Sequence, residues 1–279
     1  MITQLTSKDI PAIKDYLSQD AEQNLFFLAD IENYSLDDSE NIEVFANVPE
    51  HTSEQWDFLL LRYFTVAIIY SRHNHFNVDT AVRILKTFPI LDSIGGKDEI
   101  VCPLKDFFPT YRFRPCTLLT CTRKTLQNHT LPVNSDVKLC TVSSDESDDL
   151  VDFYLSIDEF AKNYAGQEER FRERTRENLK KDSTAYVFKD IHNKKIIASV
   201  QAGAQCSTGT MLLGIATHNM YRKRRLATNL ILHACADQFQ KGRDFISLFF
   251  DNPDAESLYK KVGFSNIGTY SVLLHGCVE

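Results

Sequence analysis

Residues 211–228 combine features that together can bind an anion. Their sequence, MLLGIATHNMYRKRRLAT, reads as an apolar strand, a short turn, four consecutive cations and the start of a helix. The first main-chain N–H groups of a helix have no partner within the helix, and that end of the helix carries partial positive charge. The cations add Coulombic attraction, and Thr228 can donate a further hydrogen bond. The pattern therefore predicts a site for a phosphate or pyrophosphate group.

The four cations, Arg222, Lys223, Arg224 and Arg225, have a second interpretation, because a run of charges is often a solvated surface. Cations at a helix N-terminus oppose the helix dipole, so without a ligand they cost stability. The net charge of the whole chain is −7, which makes a cluster of positive charge stand out. Both observations favour the anion site over a solvated helix start.

Two motifs in this half of the chain resemble the GNAT superfamily of N-acetyltransferases. Residues 215–228 are similar to its acetyl-CoA motif, whose signature is Arg or Gln, two residues, Gly, one residue, then Gly or Ala. Arg222 takes the first position of that signature and Ala227 the last. Residues 251–264, DNPDAESLYKKVGF, resemble the second motif of the family. The residues that match it are Asn252, Ala255, Leu258, Tyr259, Gly263 and Phe264.

The resemblance implies a fold, a cofactor and an activity. The fold is α/β (α+β), a GNAT-like mixed sheet flanked by helices, arranged as two tandem GNAT-like domains of the bacterial type with the C-terminal half catalytic. The implied cofactor is acetyl-CoA, and CoA is the product. The implied activity is direct transfer of the acetyl group to a primary amine of a small molecule or peptide. The alternative is a non-catalytic acyl-CoA sensor, or an interaction protein on a relic GNAT fold.

The resemblance also implies the residues that bind the cofactor. In such enzymes two neighbouring strands part, and Ile215 and Thr217 would be main-chain donors to the thioester, where preorganised donors stabilise an oxyanion. The implied cofactor-binding residues are Ile215, Ala216, Thr217, Arg222, Lys223, Arg224, Arg225, Leu226, Ala227, Thr228 and Asn252. Arg225 stands where the signature has its central glycine. Because a helical φ does not require glycine, we expect the site to be kept, with the pyrophosphate contact at this residue altered.

Tyr259 is the candidate catalytic residue, because its match to the family tyrosine makes it the general acid for the departing thiolate. Tyr259 has the alternative of a buried helix face, and Asn252 that of a turn-former beside Pro253. A general base is not evident, since residues 210–217 contain no Asp, Glu or His. The remaining candidates for the base or the acceptor pocket are His218, Glu159, Tyr164 and Glu168, whereas His233 is expected to be structural.

Glycine and proline positions divide the chain. Only Gly95 and Gly96 precede residue 160, and the other eight glycines follow it, so close approaches of the main chain are expected in the second half. Residues 126–136, LQNHTLPVNSD, are polar and prone to turns. We predict a degenerate GNAT-like or accessory domain at 1–125, a linker at 126–136 and a GNAT acetyltransferase domain at 137–279. The first domain has no cationic helix start, so we expect it not to bind CoA in the same way.

Hydrophobic periodicity predicts the elements of both halves. The first half has helices at 7–17, 21–32 and 79–88, with one or two strands within 58–70. The second half has helices at 144–157, 167–181, 224–240 and 253–262, strands at 137–142, 185–188, 196–204, 210–217 and 245–250, and a strand pair after Phe264.

Composition excludes several classes of protein. The chain is 43% hydrophobic and 25% charged, as globular domains are. It has no apolar run of signal-peptide or membrane-spanning length, so we expect a soluble, cytoplasmic protein with no membrane partner. Its negative charge argues against nucleic acid. Seven scattered cysteines without CxxC spacing indicate neither disulfides nor a metal site. No pattern selects the acceptor or the oligomeric state.

Overall fold

The computed structural model describes residues 1–37, 41–48, 56–127, 135–181, 183–252 and 255–276. The first set of elements is β1 (Ile2–Leu5), α1 (Ile10–Ser18), α2 (Leu25–Asn33), β2 (Ile42–Asn47), β3 (Phe58–Tyr63), β4 (Val66–Tyr70), α3 (Val78–Leu85), β5 (Ser93–Lys97), α4 (Asp98–Val101) and β6 (Tyr111–Thr122). The second set is β7 (Val137–Val142), α5 (Ser147–Leu155), α6 (Asp158–Asn163), α7 (Glu168–Lys181), β8 (Thr184–Asp190), β9 (Ile196–Gly203), β10 (Gly209–Thr217), α8 (Leu226–Gln240), β11 (Phe245–Phe250), α9 (Glu256–Val262) and β12 (Ser265–His275).

The two sets repeat one order of elements, and α6 is the extra member of the second set. The chain therefore contains two copies of one α/β arrangement, each with helices flanking a mixed sheet, as the sequence predicted. This repeat could not be seen in the letters, because the two halves share the order of their elements and not their residues.

The described residues form two compact units, and neither unit is continuous in sequence. Unit 1 lies within Met1–Leu119, Phe249–Asp251 and Asn266–Glu279, and unit 2 within Thr120–Leu248 and Asn252–Ser265. The last strand, β12, therefore contributes to unit 1 although it ends the chain. The predicted division into 1–125, 126–136 and 137–279 stays a prediction, because most of the linker, 128–134, lies outside the described residues.

Unit 1 contains a sheet in the order β1-β2-β3-β4-β5-β12. The pair β4 and β5 is parallel, and the other pairs are antiparallel, including β12 against β5. The run at 58–70 forms two strands, β3 and β4, as predicted. All four residues of 58–61 are buried without exposure, because β3 lies between two neighbouring strands and its apolar side chains are covered.

Unit 2 contains a sheet in the order β11-β10-β9-β8-β7. Helices α5 and α8 lie on opposite faces of it, as β8 shows. Val187 packs in one apolar cluster with Leu150 of α5, whereas the preceding residue, Tyr186, donates its hydroxyl hydrogen bond to Asp237 of α8. Successive side chains of a strand point to opposite faces, so the two helices cover the two sides.

Some predicted boundaries of unit 2 were wrong. Residues 158–163, predicted as a loop, form the short helix α6. Helix α8 begins at Leu226 rather than residue 224, because Arg225 takes a left-handed conformation that a right-handed helix cannot include. Within the described residues after Phe264 the chain forms one strand, β12, rather than a pair, and Gly268 inside it does not turn the chain. The predicted start of α9, 253–254, lies outside the described residues.

Among the residues that the structure describes, no helix is both long and apolar enough to cross a bilayer.

Candidate functional site

Strands β10 and β11 are paired only at their beginnings. The paired residues are Gly209 with Phe245, Thr210 with Ile246 and Met211 with Ser247. Beyond Met211, β10 continues for another six residues to Thr217 and stays paired with β9 on its other side. Exposure changes at the same place, since 209–212 are buried whereas Leu213, Gly214 and Ile215 are half-buried. The two strands thus part as the sequence led us to expect.

The part of β10 beyond Met211, which is not paired with β11, contains a β-bulge. Leu213 is paired with Gln201 and Ala216 with Ser199, so two residues of β10 stand opposite one of β9. The bulged residue Gly214 has φ +55, a left-handed conformation that glycine adopts without steric cost. A bulge re-aims the main chain locally, and this one contains the predicted donor Ile215 and lies just before the other predicted donor, Thr217.

Tyr154 of α5 bonds to this bulge, and no sequence pattern had marked it as a site residue. Its hydroxyl donates a 2.9 Å hydrogen bond to the main-chain carbonyl of Gly214. It also accepts from Gln201 Nε2 at 2.8 Å and lies 3.0 Å from Ser199 Oγ. The side chain is buried, and burial raises the pKa of its phenol to about 12. In the sequence Tyr154 is indistinguishable from any other large residue on the buried face of an amphipathic helix.

The segment after β10 has two non-glycine residues in the left-handed conformation. A 3₁₀ turn at Asn219–Tyr221 is followed by Lys223 with φ +64 and Arg225 with φ +62. The expectation of a helical φ at Arg225 was therefore wrong. Each left-handed residue with a Cβ costs about 1–2 kcal/mol, and such strain concentrates where function requires it. The left-handed φ of Arg225 is one that glycine, the residue of the signature at this position, adopts without steric cost.

Two of the four cations, Arg222 and Arg224, contact different groups. Arg222 donates from Nε to the carbonyl of Thr217 at 3.2 Å, and its Nη2 lies 3.3 Å from the Glu159 carboxylate. The Arg224 guanidinium lies over the Tyr221 ring, 5.0 Å from its centroid. The Tyr221 hydroxyl donates to Asp190 at 2.8 Å, and this bond lowers the pKa of that carboxyl.

Three of these cations line a cavity of about 470 Å³ in unit 2. Its lining residues are Asp136, Val137, Asp190, His192, Met220, Tyr221, Lys223, Arg224, Arg225 and Leu226. The cavity adjoins the N-terminus of α8, where Leu226 is buried and Ala227 and Thr228 are half-buried. Positive side chains beside a helix N-terminus are the donor set that a pyrophosphate requires, so these residues fit the phosphate end of a nucleotide cofactor.

Tyr259 lies on α9 with 7% of its surface exposed, and burial raises the pKa of its hydroxyl to about 12. It stays protonated at neutral pH, as a proton donor must. The end of α9 explains the letters after it: Gly263, with φ +114, caps the helix, and the N–H of Phe264 bonds back to the Tyr259 carbonyl. A Cβ at Gly263 would lie 2.0 Å from the Thr125 carbonyl oxygen. Asn252 is exposed, and its main-chain carbonyl accepts from Ala255 at 3.1 Å.

The other candidates make local contacts. His218 accepts the main-chain N–H of Met220, as a capping residue does. The Tyr164 ring stacks on Phe171, with 3.8 Å between centroids. Glu168 accepts from the N–H of Gly166, and Glu159 is paired with Arg222. His233 packs edge-on against Tyr186, 5.6 Å between ring centroids. Of the predicted strand donors, Ile215 lies in the bulge and Thr217 two residues beyond it. Three of the four predicted cations, Lys223, Arg224 and Arg225, line the cavity, and Arg222 does not.

One part of the chain matches a protein-family model, and several solved structures resemble the chain over most of its length. Residues 149–264 match the model of the acetyltransferase (GNAT) family. No curated protein sequence matches significantly. The solved structures that resemble the chain include a Drosophila protein, with a TM-score of 0.68, 11% identity and coverage of 98% of both chains.

Two further solved structures resemble the chain. A tandem GNAT protein from the clavulanic acid biosynthesis pathway has a TM-score of 0.57 and 8% identity, over 100% of this chain and 99% of its own. A GCN5-related N-acetyltransferase from Kribbella flavida has a TM-score of 0.58 and 14% identity, over 80% and 88%. At these identities the likeness establishes the fold alone. This likeness of fold extends over both halves of the chain, as the match to the tandem GNAT protein shows.

Proposed function

Because residues 149–264 belong to the GNAT acetyltransferase family, we propose that the protein is an acetyl-CoA-dependent N-acetyltransferase. It transfers the acetyl group directly to a primary amine of a small molecule or peptide. The observation that carries this proposal is the sequence of features within 211–228: β10 parts from β11, bulges at Gly214, and leads through a cationic segment into the N-terminus of α8. A sheet opening beside an anion site suits a ligand with a phosphate end and a reactive end.

The residues of unit 2 divide the ligand between them. The main chain of Ile215, Ala216 and Thr217 bonds the pantetheine arm and the thioester. The cations and the first turn of α8 hold the pyrophosphate, and Asn252 adds a polar contact. The residues at the pyrophosphate are Arg222, Lys223, Arg224, Arg225, Leu226, Ala227 and Thr228. Acetyl-CoA supplies the acetyl group as an activated thioester.

In the transfer, the amine nitrogen forms a bond to the acetyl carbonyl carbon while the carbon–sulfur bond breaks. The sulfur takes the bonding electron pair and receives a proton from the Tyr259 hydroxyl. The amine nitrogen loses one proton to solvent, and the Tyr259 phenolate regains a proton from solvent. The buried phenol, with its raised pKa, is protonated when the thiolate departs. Holding the amine beside the thioester supplies much of the rate through proximity.

Unit 1 does not bind the cofactor in the same way. Its segment before α3 contains Arg72, which donates to the main-chain carbonyl of Tyr16 at 2.9 Å and lies 4.5 Å from the centroid of the Tyr16 ring. Asn77 caps α3 by accepting the N–H of Thr80 at 3.0 Å. These two side chains are thus engaged in local structure, which supports a degenerate GNAT-like or accessory role for unit 1.

Thiols and net charge support a cytoplasmic setting. The six described cysteines are free, which fits a reducing compartment such as the cytoplasm. A net charge of −7 disfavours nucleic acid and anionic membranes as partners, so the partner is the amine acceptor.

A second candidate is a non-catalytic acyl-CoA sensor, and Arg225 favours it. Where the signature allows the ligand to approach a glycine, this chain keeps a long cation in a left-handed conformation. A protein that only binds acyl-CoA gains from the extra charge and needs no general base.

Turnover separates the two candidates. Purified protein is incubated with acetyl-CoA and a library of amines and amino-terminal peptides, and free thiol and acetylated product are measured together. Equal amounts of thiol and acetylated amine support the enzyme. Binding of acetyl-CoA without acetyl transfer to any member would favour the sensor.

A further inference from the structure

Tyr154 carries an inference that deepens the proposed function. It lies on α5, outside the cationic segment and outside α9, yet its hydroxyl is bonded to the residue at the centre of the β10 bulge. The side chain is 1% exposed, and its partner Ser199 is fully buried. This is a polar cluster inside an apolar region, which also contains Leu150 and Val187. Polar groups in such surroundings are kept only where each is satisfied.

The hydrogen bonds of the cluster follow from which of its atoms can donate. A phenol has one proton, and Tyr154 gives it to the Gly214 carbonyl. Gln201 Nε2 can only donate, so the phenol oxygen accepts from it. The third contact, 3.0 Å from Ser199 Oγ, must then also be a donation to the phenol oxygen. Two donors thus orient the hydroxyl, and its proton is directed at one main-chain oxygen.

The bond to Gly214 fixes more than one atom. The peptide between Gly214 and Ile215 is planar and trans, since the described chain has no cis peptide bond. In a trans peptide the carbonyl and the N–H point in opposite directions. Because Tyr154 holds the Gly214 carbonyl on the side of α5, the N–H of Ile215 is directed away from α5. The orientation of this N–H is therefore set by the side chain of Tyr154, which lies sixty residues before Gly214.

Tyr154 and Gly214 are also matched in shape. A Cβ on Gly214 would lie 2.2 Å from the Tyr154 hydroxyl oxygen, so only glycine allows this approach. The ring of Tyr154 is held in turn by Phe160 of α6, with 4.7 Å between centroids. A residue that was needed only to fill the core would not require a glycine with φ +55 opposite its polar end.

We propose that Tyr154 is a positioning residue, which holds the Gly214–Ile215 peptide so that the Ile215 N–H donates to the thioester carbonyl oxygen of the acetyl donor. Negative charge develops on that oxygen when the amine attacks. A donor already in place stabilises this charge without reorganisation. The inference rests on the proposed function, because it assigns the thioester to the bulge of β10.

The test is the ¹³C NMR signal of acetyl-CoA labelled at its carbonyl carbon, measured free and bound. A hydrogen bond polarises the carbonyl, so binding to the wild type should move the signal downfield. Tyr154→Phe should bind CoA like the wild type and lose most of this shift, because the peptide is no longer held. Tyr186→Phe is the matched control: it removes another buried hydroxyl of unit 2 and should keep the full shift.

A role in the core alone would lower the stability of Tyr154→Phe and leave the carbonyl shift of the bound ligand unchanged, and that result would overturn the inference. If Tyr154→Phe does not fold, Gln201→Met removes one donor to the phenol and should lose part of the shift. An unchanged shift there would have the same meaning. Failure of the wild type to bind acetyl-CoA would reject the proposed function itself. Once an acceptor is identified, the kcat of Tyr154→Phe should be about 10²-fold below that of the wild type, at unchanged KM for acetyl-CoA.

Discussion

Arg222 and Glu159 form an ion pair, with 3.3 Å between Nη2 and the carboxylate oxygen. Arg222 is the first residue of the signature, and Glu159 belongs to α6, the short helix between α5 and α7. The side chains are 47% and 64% exposed, so the pair is weak. A phosphate and the Glu159 carboxylate would therefore compete for the Arg222 guanidinium.

Removing that carboxylate should strengthen acetyl-CoA binding. Glu159→Gln eliminates the competing partner of Arg222, and because an exposed pair is weak, we expect an affinity gain of about two- to fivefold. Calorimetric titration measures it. Asp158→Asn removes the same charge one residue away and should have a smaller effect. Equal effects of the two substitutions would reduce the finding to general electrostatics.

Replacing Arg225 with glycine should stabilise the protein. Arg225 has a left-handed conformation, in which the Cβ causes steric strain, and glycine has no Cβ. We expect the free energy of unfolding of Arg225→Gly to exceed that of Arg225→Ala by about 1 kcal/mol. Both variants lose the same charge, so their difference isolates the backbone term. Urea unfolding measures it, and equal stability would show that this segment is relaxed without ligand.

Tyr259→Phe should lower kcat without weakening acetyl-CoA binding. If the hydroxyl protonates the departing thiolate, its loss costs about 10²-fold in kcat, while affinity changes by less than about twofold. Steady-state kinetics with an identified acceptor, together with calorimetry, separates the two. The alternative of a core tyrosine predicts a less stable enzyme with unchanged kcat.

The buried phenol of Tyr154 should make stability fall at alkaline pH. Its pKa is raised from 10.0 to about 12, so the folded state holds this proton more tightly than the unfolded state does. Below pH 10 both states are protonated and the contribution is complete; above pH 10 the unfolded state deprotonates first. The stability advantage of the wild type over Tyr154→Phe should therefore shrink by about 1.4 kcal/mol between pH 9 and pH 11. Parallel stability curves for the two proteins would contradict the raised pKa.

Sequence was sufficient where local rules determine structure. The run at 58–61 predicted a buried strand, and the letters around 222–227 predicted a helix entered through cations, because strand burial and helix starts depend on neighbouring residues. The spacing of Tyr259, Gly263 and Phe264 likewise corresponds to one helix end capped by a glycine.

Sequence was insufficient where distant residues decide. Tyr154 and Gly214 meet only because α5 packs against the bulge of β10, and no local pattern joins two residues that far apart. The left-handed φ of Arg225 was missed for a related reason: a charged residue in a run of cations is expected to be helical, and the turn that leads from β10 into α8 overrides that preference. Most of strand β12 likewise lies in unit 1 because it pairs with β5, which is distant in sequence.

Calorimetric titration of the purified protein with acetyl-CoA, beside the double variant Arg222→Glu, Arg224→Glu, tests the proposed cofactor site most directly. We expect micromolar binding to the wild type and its loss in the double variant, with an unchanged temperature of unfolding showing that the variant is folded. Absence of binding to the wild type, or equal binding by the charge-reversed variant, would contradict the claim that this segment and the N-terminus of α8 bind the cofactor.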